Sequence, residues 1–227
     1  MKTALTRLRK LLAPGLLGCI LALGAAAGAY AQDPYKNYSE EVFMDMDFEP
    51  NLTTPVVGAK EKAAVKKAVS RAANGLKGKY TVDLMRDGEV FVVSIPASEL
   101  FLPNDTLLCP HAAKTLAGVL GTMQNPLAYK ILLAMHTDDT GSEKYREALS
   151  LARLNSVYDW FVDQVEGGIL SDGLIIIPFS MGSSMPVKPN DSMANRSENR
   201  RLEIYFVPGP ATIKPATTKS KSKGNRE

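Results

Sequence analysis

Four consecutive residues, Ile131-Leu132-Leu133-Ala134, constrain the fold more than any other feature. They sit within an expected strand from Tyr129 to Met135. No polar residue interrupts them, whereas a strand with one wet face alternates. Such a run suits a strand covered on both faces. A polar turn follows, His136-Thr137-Asp138-Asp139-Thr140-Gly141-Ser142. From about Ser142 to Val165, Leu151, Leu154, Tyr158, Phe161 and Val165 recur at spacings of three and four, and Gly167-Gly168 ends the pattern. That is an amphipathic helix. Leu174 to Pro178 is another short apolar strand. Strands alternating with helices imply βαβ crossovers and a sheet with helices packed on it.

The flanking sequence fills in the rest. Residues 32–56 are polar and without a period, and read as an irregular lead. Residues 59–77 carry Ala64, Val65, Ala68, Val69 and Ala72 as a narrow helical stripe, with Asn74-Gly75 able to cap it. Tyr80–Met85 and Val90–Ile95 flank Arg86-Asp87-Gly88-Glu89, a strong hairpin signal. Leu100-Phe101-Leu102-Pro103-Asn104 is a loop with an apolar plug. Leu108, Ala112, Leu116 and Leu120 predict a helix from Thr106 to Met123. Residues 180–199 form a polar loop with room for one helical turn. Leu202, Ile204 and Phe206 alternate with Arg201, Glu203 and Tyr205, the pattern of a strand with one face on the core. The expected fold is α/β: a two-layer sandwich with a βαβαβ core and helices packed on a mixed sheet, plus an extra N-terminal helix and strand.

Charge excludes one class of partner. Residues 1–31 hold four basic groups and no acid, and the tail from Pro208 holds five basic groups and one acid. The body between them has 18 basic against 23 acidic residues, a net of −5. Nucleic-acid binding needs clustered Lys and Arg, so none is expected. Residues 1–31 have the form of an export signal. Lys2, Arg7, Arg9 and Lys10 precede an apolar run, and Ala29-Tyr30-Ala31 is a cleavage site. Leu16-Leu17-Gly18-Cys19 offers an alternative, lipidation at Cys19 of an outer-membrane lipoprotein. Cleavage after Ala31 leaves Cys109 alone, so no internal disulfide forms. Residues 32–80 are also too few for the eight strands of ~9–11 residues that a transmembrane barrel needs.

At His136-Thr137-Asp138 the sequence becomes specific. It resembles the C-terminal, peptidoglycan-binding domain of the outer membrane protein A (OmpA) family over about residues 90–207. The family's G-H-T-D-x-x-G-S turn is similar to Met135-His136-Thr137-Asp138-Asp139-Thr140-Gly141-Ser142. Its Y-N and L-S-x-x-R-A-x-x-V resemble Tyr145-Arg146 and Leu149-Ser150-Leu151-Ala152-Arg153-Leu154-Asn155-Ser156-Val157. Its N-R-R-V-E-I resembles Asn199-Arg200-Arg201-Leu202-Glu203-Ile204, and its L-F-x-P-N approach resembles Leu100-Phe101-Leu102-Pro103-Asn104. Pro186, Asn190 and Arg196 fit its late loop.

The resemblance implies a non-catalytic periplasmic module that grips the diaminopimelate of the peptidoglycan stem and tethers an envelope component to the wall. Asp138 takes the ammonium and Arg153 the carboxylate, a match of charge and geometry. Thr137, Leu149, Phe101 and Arg146 occupy further positions near the family ligand. Three residues depart from the pattern. Arg146 stands for Asn, Met135 for Gly, and Leu154 for Ala. No catalytic residue, metal or cofactor is expected, because one imidazole among acids on a turn is a weak ligand set. Arg200 and Arg201 are expected to bind carboxylates or carbonyls inside the fold.

The domain organisation expected is a signal peptide over 1–31, a lead segment with one helix over 32–79, an OmpA-like domain over 80–207 and a disordered basic tail over 208–227. The expected location is the periplasm of a Gram-negative bacterium, associated with the outer membrane and cell wall. An outer-membrane protein is a candidate partner. The alternative function is a protein–protein interaction or assembly module of the outer-membrane envelope that does not bind the wall.

Overall fold

The apolar run forms the middle of β3 (Tyr129–His136), whose eight residues are all buried. The structure, a computed structural model, describes residues 40–214. The expected export signal, Cys19 and most of the basic tail therefore lie outside the described residues. On one side β3 pairs antiparallel with β5 (Arg201–Pro208), and on the other parallel with β4 (Ile176–Gly182). A hairpin of β1 (Thr81–Met85) and β2 (Val90–Pro96) completes a mixed sheet in the order β1-β2-β5-β3-β4. Its turn puts Arg86, Asp87 and Gly88 all at positive φ, where Asp and Gly are the tolerant residues.

Two long helices cover one face. They are α3 (Lys62–Leu76) and α5 (Glu143–Glu166), the second of which crosses over from β3 to β4. Val65, Val69, Leu154, Val157 and Phe161 meet Phe91, Val93, Ile131, Leu133, Ile204 and Phe206 there. Phe91 and Phe206 stack at 4.3 Å, and Tyr129 meets both edge-on. This is the expected α/β sandwich on a mixed sheet.

The opposite face corrects the reading of residues 32–56 as irregular. Over residues 40–53 the chain forms α1 (Glu40–Met44) and α2 (Phe48–Thr53) and lies across the back of the sheet. Phe43 and Leu52 pack on Val90, Val92, Leu132, Ala134, Ile177 and Val207. Helices of five and six residues are too short to display a period, so tertiary contact defines them. Asn51 ties the two together, its side-chain amide donating to the carbonyls of Phe43 (2.8 Å) and Met46 (2.9 Å). Lys130, fully buried on β3, donates to the Asn51 carbonyl and side-chain oxygen, each at 2.9 Å. Its ammonium also lies 3.8 Å from the Phe43 ring centroid.

Further differences follow from local chemistry. β5 was expected to wet one face, yet all eight of its residues are buried. It is central in the sheet, and its polar side chains satisfy one another. The helix expected from Thr106 to Met123 shrinks to α4 (Ala112–Ala117) and one 3-10 turn, Leu120–Met123. Asp105 takes the amides of Thr106 and Leu107 on its side chain in a local turn, and Leu108 is held in a bridge to Phe101, so the helix starts only at Ala112. Asn74 and Gly75 fall inside α3 rather than capping it, and the left-handed turn comes at Gly78. The 180–199 loop holds a seven-residue helix, α6 (Met193–Asn199). Order also runs past Val207 into α7 (Pro210–Ile213), beyond the expected start of the tail.

Burial pushes the Lys130 ammonium down to about 7. The unfolded chain, with a lysine near its ordinary ~10.4, binds more protons between about pH 7 and 10, so stability rises with pH across that window. Lys130→Met removes the titrating amine. In urea unfolding, wild type should gain ~2–4 kcal/mol over the variant between pH 7 and 10. A wild-type-minus-variant difference that stays flat contradicts this assignment.

Candidate functional site

The register of β5 on β3 opposes His136 to Arg201. The residues just outside the ladder, Thr137 and Asp138 on one side and Arg200 on the other, are therefore neighbours. Arg200 Nη1 donates to Asp138 Oδ2 in a short ion pair. Asp138 Oδ1 accepts the Thr140 amide at 2.8 Å, which closes the turn. Burial alone would raise the Asp138 carboxyl. The Thr140 bonds and the Arg200 guanidinium outweigh it and hold the group below the usual carboxylate range.

The turn then starts α5. Gly141 lies at φ +85°, and a Cβ there would come within 2.8 Å of the Tyr145 ring, so the position needs glycine twice over. Ser142 caps the helix by accepting the Tyr145 amide at 3.2 Å. Further along α5, Arg153 is buried, with Nε donating to the Asp105 carbonyl (2.8 Å) and Nη2 reaching that of Leu102 (3.4 Å). Its guanidinium carbon lies 4.9 Å from the Phe101 ring centroid. Burial lowers its pKa, but a guanidinium stays protonated throughout the physiological range. Among the described residues it forms no ion pair.

Phe101, Thr137, Asp138, Arg146, Leu149 and Arg153 line one cleft of about 430 Å³, with Tyr145, Arg200 and the loop Leu102-Pro103-Asn104. Two polar atoms in its lining, Thr137 Oγ1 and Arg146 Nε, are buried without a protein hydrogen-bond partner. Unmade bonds of this kind cost free energy unless something else supplies them. Asp139, by contrast, is half-exposed and pairs with Arg196 at 2.8 Å. Arg200 binds a carboxylate, as its sequence reading expects. Its place in the cleft wall was missed, because that follows only from the strand register.

Beneath the turn, on the other face of the sheet, lies a buried polar group. Glu203 accepts from Arg201 Nε (2.8 Å) and Tyr205 Oη (2.6 Å), and His136 Nε2 lies 2.9 Å away. Arg201 also donates to the carbonyls of Asn199 and Met185. Burial lowers the His136 pKa, which favours its neutral form. Among the described residues no group of three or more His, Cys, Asp or Glu side chains could hold a metal ion.

The sequence of this segment is similar to that of known proteins. Residues 100–200 match the OmpA family. Escherichia coli "Probable lipoprotein YiaD" is 27% identical over 127 residues, 56% of this chain and 56% of the relative. Pseudomonas aeruginosa "Outer-membrane lipoprotein YfiB" is 34% identical over 105 residues, 46% of this chain and 60% of the relative. The chain thus spans less than two thirds of the length of either. Among solved structures, a protein described as MotB-like from Desulfovibrio vulgaris superimposes with a TM-score of 0.52 at 22% identity. That match covers 65% of this chain and 94% of the other, and the likeness is one of fold. The cleft described above falls almost wholly within the segment that matches the OmpA family.

Burial would raise the Glu203 carboxyl, but its bonds to His136, Arg201 and Tyr205 bring it down to about 2. A lowered carboxyl contributes stability above its unfolded value near 4.3 and loses it as pH falls toward 2. Glu203→Gln should therefore cost ~3 kcal/mol at pH 7 by urea unfolding, and much less at pH 2.5. An equal cost at both pH values would show that packing, not charge, holds this group.

Proposed function

We propose that residues 80–207 form a non-catalytic module that binds peptidoglycan through the diaminopimelate of the stem peptide and so tethers an envelope component to the wall. One observation carries this reading. Asp138 and Arg153, of opposite charge, line the same cleft, and the arginine has no acidic partner among the described residues. The free end of diaminopimelate carries an ammonium and a carboxylate. The ammonium shares Asp138 with Arg200, and the carboxylate takes the open edge of the Arg153 fork. Thr137 Oγ1 offers a further bond, and Phe101 and Leu149 supply apolar wall for the methylene chain. The match to the OmpA family supports the ligand class.

The same reading puts the protein in the periplasm, at the outer membrane and wall. The names of the two lipoprotein relatives support an envelope location. No helix of the described residues is long and apolar enough to cross a membrane. A lipid on Cys19 or an outer-membrane partner would attach it there.

Co-sedimentation with purified diaminopimelate-type sacculi tests the proposal. Wild type should pellet, and Asp138→Ala and Arg153→Ala should each leave most of the protein in solution, with unchanged circular dichroism. Wild type that stays in the supernatant would favour the interaction module without wall binding. Release of soluble fragments from the sacculi would favour an enzyme.

A further inference from the structure

The cleft holds more positive charge than a zwitterion needs. Its lining carries one acid, Asp138, against three arginines, Arg146, Arg153 and Arg200. Arg200 is neutralised by Asp138. The other two donate hydrogen bonds only to backbone carbonyls. Arg153 bonds those of Asp105 and Leu102, and Arg146 Nη1 those of Gly141 (2.6 Å) and Asp139 (3.2 Å). Asp105 Oδ1 accepts the amides of Thr106 and Leu107, so its carboxylate acts on Arg153 through space without forming an ion pair. Neither arginine has an ion pair among the described residues, and Arg146 Nε is buried without any protein partner. A guanidinium in that state is a receptor for an acid.

The spacing of the two is suited to one ligand. Arg146 and Arg153 are seven residues apart on α5, two turns of one face and about 10 Å along the axis. Both side chains reach the same cleft, so their guanidinium groups can approach a single molecule from its two ends. Arg146 also stands in the first turn of a 24-residue helix, where the macrodipole adds to its positive potential.

We propose that Arg146 binds a second carboxylate, so that this cleft selects stem peptides ending in diaminopimelate with both of its carboxylates free. This rests on the wall-binding reading above. In a stem that ends at diaminopimelate, the side-chain carboxylate goes to Arg153 and the chain-terminal carboxylate to Arg146. A stem extended by one more residue buries that terminal carboxylate in an amide and loses the second contact. Asn at position 146 has no charge to offer it.

The test compares two synthetic peptides by isothermal titration calorimetry. One is L-Ala-γ-D-Glu-diaminopimelate with a free C-terminal carboxylate, and the other is its C-terminal amide. Both keep the side-chain zwitterion. Wild type should bind the free acid about tenfold tighter than the amide, the worth of one charge-assisted pair. Arg146→Asn should bind the two equally, at the level of the amide with wild type. Arg146→Lys, which keeps the charge, should retain part of the preference and guards against loss of the turn that Nη1 supports. Equal binding of both peptides by wild type overturns the role of Arg146 and leaves the wall-binding reading in place. Arg146→Asn with an undiminished preference overturns it as well. Failure of wild type to bind either peptide overturns both.

Discussion

The antiparallel register of β3 and β5 is the constraint on which the rest depends. Opposing His136 to Arg201 does two things at once. On the back face it gathers Arg201, Glu203 and Tyr205 into one buried hydrogen-bonded group and sets His136 Nε2 2.9 Å from Glu203. Just outside the ladder it sets Arg200 against Asp138 and so defines one wall of the cleft. A slip of one residue would reverse the faces of β5. It would turn Leu202, Ile204 and Phe206 away from the helices and bring Arg201 and Glu203 among apolar side chains. Apolar packing and polar satisfaction therefore specify the same alignment.

The opposite wall depends on α5. Its start is fixed by a glycine that no other residue could replace without strain and by the Ser142 cap, so the phase of the helix is set at its first residue. That phase turns Leu154, Val157 and Phe161 into the core and leaves Arg146, Leu149 and Arg153 to line the cleft. Phe101 and the carbonyls of Leu102 and Asp105 then hold the Arg153 fork in place from the loop before α4. The site thus sits on a strand end, a helix face and a braced loop, all of which are set by packing before any ligand arrives.

Much of this was legible in the residues, and what was not has physical causes. The strand β3 announced itself by its unbroken apolar run, the crossover helix by its period, and β2 and the hairpin turn by Asp87-Gly88. The turn from His136 to Ser142 and the L-S-x-x-R stretch carried the family likeness, which pointed to Asp138 and Arg153. Residues 40–53 gave no such signal, because two helices of five and six residues have no period and acquire their form from the sheet beneath. Nothing in the residues around Lys130 announced a buried amine. Only the docking of Asn51 and Phe43 over it explains its burial. Leu108, Ala112, Leu116 and Leu120 gave a helical spacing longer than the helix that forms, since Leu108 is held in a bridge to Phe101, a contact that sequence spacing does not show. Arg200 escaped notice as a cleft residue because its place depends on which strand lies beside β3, and sequence order does not give that.

Where a stem peptide lies on the molecule is the deciding observation. A crystal structure of the protein with L-Ala-γ-D-Glu-diaminopimelate bound would measure this directly. The peptide should lie in the cleft between the His136–Ser142 turn and α5, its side-chain ammonium within hydrogen-bond distance of Asp138 and its side-chain carboxylate on Arg153. A peptide seated elsewhere on the molecule, with the Asp138–Arg200 pair and Arg153 untouched, would contradict it.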